Sequence, residues 1–163
     1  MDVSADTHHV RVQIGREPRG KWKVARRCEC GCPQVILTEP RLDDGTPFPT
    51  TWWLTCKSLS GEVSRLESEG MIARINERLK VDQDLLDAMK RATNNYVQLR
   101  DVMEPLGTDI HPGGGPLRVK CLHAHVADQL INGSNPVGKM VLDAIGWSEP
   151  LVPCVGLGGG DAP

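Results

Sequence analysis

The sequence predicts an α+β fold: a small antiparallel N-terminal sheet packed by four to five helices in a single domain. Three observations predict it. The first third of the chain alternates apolar and polar residues in short runs between turn residues. The middle and end carry apolar residues at helical spacing. No internal repeat or linker divides the 163 residues.

The elements follow in order. Val10, Val12 and Ile14 alternate with Arg11 and Gln13, the period of a half-buried strand. Turn chemistry from Gly15 to Gly20 precedes a return strand in which Trp22 and Val24 alternate with Lys21 and Lys23, which predicts a hairpin. Val35-Ile36-Leu37 and Thr50 to Thr55 read as further strands, with a turn at Asp43-Asp44-Gly45 between them. Leu59, Val63 and Leu66 share one helical face ending at Gly70, and Ile72, Ile75 and Leu79 begin a second helix. Leu85, Met89, Ala92, Tyr96, Leu99 and Met103 form an apolar stripe over about five turns, stopped by Pro105. Pro116 suits the first position of a helix running to about Ile131. Asn135-Pro136 reads as the cap and first residue of a last helix ending near Gly146. Residues 1–9 and the Gly-rich 156–163 read as flexible ends around a domain of residues 10–155.

Composition narrows the class further. Aromatics are 4% of the chain, so the core must be mainly Val, Leu, Ile and Met. A chain of this length can hold a core without disulfide staples. The N-terminus lacks the basic start and apolar run of a secretory signal, and no apolar stretch approaches the roughly 20 residues that span a bilayer. The expectation is a cytoplasmic protein with no membrane partner, whose cysteines stay reduced.

Six cysteines are therefore the sharpest chemical signal. Cys28 and Cys30 on extended backbone share a face, and Gly31 and Pro33 favour a sharp turn of the sort that wraps a metal. Zinc or an iron–sulfur cluster needs four soft ligands. Cys28, Cys30, Cys56 and Cys121 could supply them, with Cys154 in reserve; the competing reading is buried thiols packed as small hydrophobes. On a helix from Pro116, Cys121, His125 and Asp128 fall within roughly 60° of one another, while His123 points about 200° from Cys121.

Charge is uneven. Residues 11–27 hold seven Lys and Arg against Glu17 alone, within a chain whose net charge is −2. A basic hairpin bearing Arg16, Arg19, Lys21 and Lys23 would meet an acidic protein surface or a polyanion. The Gly113-Gly114-Gly115 loop, leading into the expected helix, would offer an anion site from Gly114, Gly115, Arg118 and Lys120. It is not a nucleotide-binding P-loop, because no G-x-x-x-x-G-K-[ST] is present.

Six blocks in order carry a family resemblance: Gly15–Gly20, Val24–Gly31, Pro40–Thr50, Trp53–Cys56, Val119–His123 and Asn135–Gly138. On them, the chain resembles a mainly actinobacterial family known as domain of unknown function 501, over about Val10 to Val155. The resemblance implies bacterial cytosolic housekeeping and brings no established activity. Leu117 stands where the family usually has an acidic residue, Asp128 where it has a second histidine, and Cys32 is an additional cysteine. Two functional readings result. The first is a non-enzymatic binding or regulatory module, with the basic hairpin for its partner and a structural cysteine metal site. The second is an enzyme acting on an anionic, phosphate-type substrate at the glycine loop, with Cys121, a histidine and Arg118 near its centre.

Overall fold

The computed structural model describes residues 3–147 and has the expected α+β architecture. Its elements are α1 (Val3–Ile14), β1 (Trp22–Arg27), β2 (Pro33–Thr38), β3 (Trp52–Leu54), α2 (Lys57–Ser68), α3 (Met71–Leu79), α4 (Gln83–Met103), α5 (Leu122–Asn132) and α6 (Pro136–Ile145). Cys154 and the Gly-rich tail lie outside the described residues. No helix among those described is long and apolar enough to cross a membrane.

The sheet is antiparallel in the order β1-β2-β3. Val24 pairs with Ile36, and bulges then fall between Val24 and Arg26 and between Arg26 and Arg27. Val35 pairs with Leu54, so the Pro33 end of β2 lies beside the segment that follows β3. Val35, Trp52 and Leu54 face a core completed by Leu59, Val63 and Leu66 of α2, Met89 and Tyr96 of α4, Val126 of α5 and Val141 of α6. Trp52 meets Tyr96 edge to face at 4.8 Å between ring centres. The Tyr96 hydroxyl donates to the Pro49 carbonyl and accepts from the Thr51 N–H, which locks α4 to the β3 approach.

Two expected elements change. Residues 10–14 are helical, so the basic hairpin expected from Val10 to Val24 does not form. Val10 and Gln13, three apart, are both buried, while Val12 is exposed; the docked face follows a helical spacing. The hairpin that exists is β1–β2, and its tip is the cysteine-bearing 28–32 loop. The second change concerns Pro116, which follows a cis peptide bond and opens no helix. The Asn76 side chain of α3 donates to the Val119 carbonyl and accepts from its N–H, holding that backbone as a neighbouring strand would. The Gly113 carbonyl accepts from both Lys120 and Cys121 N–H. With those groups committed, α5 begins only at Leu122.

Helix ends elsewhere obey their capping chemistry. Asn135 accepts from the Gly138 N–H ahead of Pro136, and Gly146 closes α6 with φ 66°. Asp82 caps α4 by accepting from the Leu85 N–H. Asp82→Ala is expected to cost about 1 kcal/mol, read as a lower midpoint in urea unfolding. An unchanged midpoint would show that water replaces the cap at no cost.

Candidate functional site

The early start expected for α5 hid its main chemical feature. Cys121 sits just ahead of the helix on extended backbone, φ −148° and ψ 120°, so the wheel angles drawn from Pro116 do not apply to it. Its thiol meets His123, and a Glu67 carboxylate oxygen joins them, with the three ligand atoms within 4.8 Å of one another. Glu67, on α2, also accepts from the Leu122 N–H at 2.8 Å, which anchors the first turn of α5 to α2.

Both nitrogens of His123 face acceptors. Nδ1 lies 3.3 Å from Glu67 Oε1, while Nε2 lies 3.2 Å from the Ser60 carbonyl and 3.2 Å from Ser64 Oγ. Only the imidazolium can donate from both nitrogens at once. The hydrogen bond with Cys121 raises the His123 pKa; burial opposes it, and Glu67 and Ser60 reinforce it. For Cys121, burial acts to raise the thiol, yet His123 and the Ala124 N–H together hold it below the ordinary thiol value. The pair thus favours a thiolate beside an imidazolium at the head of a helix.

Cys121, His123 and Ser60 line a cavity of about 450 Å³. Trp52, Trp53 and Leu54 form an apolar wall, and Arg16, Gln13, Ser60, Cys121 and His123 supply polar groups. The Arg16 guanidinium lies over the Trp53 ring, 5.5 Å from its centre. Gln13 donates to the Pro33 carbonyl, and its Oε1 is buried with no partner among the described residues.

His125 and Asp128 face the other way. His125 stacks on His111 with ring centres 4.3 Å apart. Its Nε2 donates to the Gly113 carbonyl, and its Nδ1 accepts from Asn135, whose amide also donates to Asp128. His111 accepts from the Gly113 N–H and turns its other nitrogen to Asp128. Burial, then the neighbouring His111, pushes the His125 pKa down to about 3, so that ring is neutral. This enclosed network belongs to the structure of the glycine loop.

The expected anion site loses its helix. Gly114 and Gly115 lie several residues before α5, the Gly113 and Gly114 N–H groups both point to His111, and Arg118 and Lys120 are exposed on an extended segment. The basic residues are also dispersed. Lys21 lies 3.9 Å from Glu39, Arg11 pairs with Glu17, and Arg27 makes a two-pronged pair with Asp6. Arg16 turns to Trp53, while Arg19 and Lys23 are exposed on the turn and on β1.

The four cysteines first grouped as ligands divide between two places. Cys28 and Cys30 come together with Cys32, whereas Cys121 belongs with Glu67 and His123. Burial raises the Cys56 thiol, and Cys28 and Cys30 are close enough to raise it further. Sequence reasoning missed Ser60, Ser64 and Glu67. Their signal was a polar stripe at spacings of four and three, running beside the apolar stripe Leu59, Val63 and Leu66.

No curated protein and no solved structure matches the chain. Residues 24–143 match one family whose description is Protein of unknown function (DUF501), and that span covers most of the chain, including the cysteine loop and the Cys121 site. The chain therefore belongs to the DUF501 family.

Proposed function

We propose that the protein is a thiol-dependent enzyme that transfers or hydrolyses the acyl group of a small anionic substrate. The observation that carries this reading is the Cys121–His123 pair, backed by Glu67, at a cavity that Arg16 also lines. Cys121 is the nucleophile, His123 stabilises its thiolate, and Glu67 and Ser60 hold the imidazolium in place. Arg16 gives the cavity its preference for negative charge. Compared with the enzyme expected from sequence, the nucleophile is retained, His123 is its partner, and Arg16 takes the place given to Arg118.

The chemistry balances without a cofactor. The thiolate attacks the carbonyl carbon of an ester, a carbon–sulfur bond forms, and the carbon–oxygen bond to the leaving alcohol breaks as His123 donates a proton to it. Water then attacks the thioester, giving its proton to His123 and releasing the acid with Cys121 again a thiolate.

Iodoacetamide labelling followed by peptide mass spectrometry tests the nucleophile. Cys121 is expected to alkylate fastest, and its rate should persist to lower pH than that of an ordinary thiol. His123→Gln should move that acid limb upward. A p-nitrophenyl ester carrying a carboxylate should leave an acyl adduct on Cys121. Cys121→Ser should lower turnover by at least about 10³-fold, and Arg16→Ala should raise KM for the anionic ester more than for a neutral one. Alkylation of Cys121 no faster than Cys30, with turnover unchanged in Cys121→Ser, would refute the reading.

A further inference from the structure

The β1–β2 hairpin turns through five residues, three of which are cysteines. The Cys28 N–H bonds to the Cys32 carbonyl and the Gly31 N–H to the Cys28 carbonyl, closing the loop on itself. Gly31 has φ 80°, a left-handed conformation that a side chain would resist. The result is convergence: the sulfurs of Cys28, Cys30 and Cys32 all lie within 4.8 Å of one another, and those of Cys28 and Cys30 are 2.8 Å apart. A tetrahedral zinc with Zn–S bonds of about 2.3 Å sets its sulfurs about 3.8 Å apart. Three ligands are therefore gathered already, and the Cys28–Cys30 pair needs to open by about 1 Å.

Sheet register supplies the fourth. Because Val35 pairs with Leu54, the chain leaving β3 runs past the same end of β2, and the Thr55 and Cys56 N–H groups both bond to the Gln34 carbonyl. Cys56 is buried there, immediately before α2 and at the end of β2 from which the loop springs, although its sulfur stands outside the 4.8 Å group of the other three. Arg27, next to Cys28, donates to the Gly31 carbonyl and pairs with Asp6, which ties the loop to α1.

We infer that Cys28, Cys30, Cys32 and Cys56 form a structural zinc site joining the hairpin tip to the start of α2. The site is closed, with four protein ligands and no position for substrate. Its effect extends beyond the hairpin, because α2 carries the Ser60, Ser64 and Glu67 groups that hold His123. The assignment does not depend on any chemistry at Cys121.

Reduced, metal-free protein titrated with Co²⁺ tests it. One equivalent should bind, giving sulfur-to-cobalt charge-transfer absorption and the intense visible bands of a tetrahedral thiolate site, and one equivalent of Zn²⁺ should abolish them. Cys30→Ser removes the exposed ligand, the one with least part in packing. It is expected to lower zinc affinity by more than the roughly 10- to 100-fold that loss of an outer-shell partner costs, with an unchanged far-ultraviolet circular dichroism spectrum. Cys32→Ser should behave alike, and Cys121→Ser should bind as the wild type does. The inference would be overturned by no stoichiometric uptake, by wild-type affinity in both Cys30→Ser and Cys32→Ser, or by loss of the metal in Cys121→Ser. Stoichiometric iron and sulfide in anaerobically purified protein would overturn it in favour of a cluster.

Discussion

Gly138→Ala is expected to lower stability by about 3 kcal/mol, although glycine-to-alanine exchange within a helix ordinarily gains about 1 kcal/mol. The sign is decided by α5. A Cβ at position 138 would collide with the His125 carbonyl oxygen and stand 2.5 Å from Gln129 Cβ. Neither is the far end of a flexible side chain, so the two helices must separate. Separation would also pull Asn135, the cap of α6, away from His125 and Asp128. In a chain of this size such a loss lowers the melting temperature by about 6–12 °C. Calorimetry of the variant checks it, and a higher melting temperature would show that the helix contact yields.

Acid is expected to cost as much or more. His125 is neutral in the folded chain with a pKa of about 3, and it takes up a proton readily only when unfolded. Its contribution is complete above pH about 6.5 and falls by about 1.4 kcal/mol per unit as pH drops towards 3. The limit is about 5 kcal/mol. Half-buried Asp82, Asp87 and Asp101 are held below the ordinary carboxylate range by their hydrogen bonds, so their contributions are lost only under stronger acid. The effect of His123 runs in the opposite sense, since its raised pKa adds stability as pH falls. Urea unfolding between roughly pH 4 and 6.5 thus isolates His125. His125→Gln, which can still donate to Gly113, should flatten that limb; the same slope in the variant would remove His125 as its cause.

Much of the fold was legible where side chains set local structure. The stripe from Leu85 to Tyr96 is buried as its spacing implies, and Asn135-Pro136 caps and opens α6. The stripe overruns its core at Leu99 and Met103, which are 40% and 41% exposed. There Arg100 is fully buried instead, donating to the Thr108 and Ile110 carbonyls of the following loop. A hydrophobicity pattern contains nothing that announces such a contact. The strand expected at Val10–Ile14 failed because five residues fit both periods, and docking of Gln13 on Pro33 chose the helix.

The candidate site was half legible for a related reason. Cysteine spacing identified the 28–32 loop, but its fourth partner depends on the β2–β3 register. Cys121 and His123 lie far apart on a helical wheel and close together in space, because Asn76 holds Val119 in extended form. That contact spans 43 residues of sequence. Neither cysteine group could be completed without long-range pairing.

The register breaks along β1 have a last consequence, for association between copies. β1 is an edge of the sheet, with a row of backbone groups that a second chain could extend. Two register breaks near its end spoil the straight ladder such a chain would need, and Lys23 and Ala25 on its exposed face offer no apolar zipper. The irregularity that delivers Cys28 to its loop also makes β1 a poor template for a second copy.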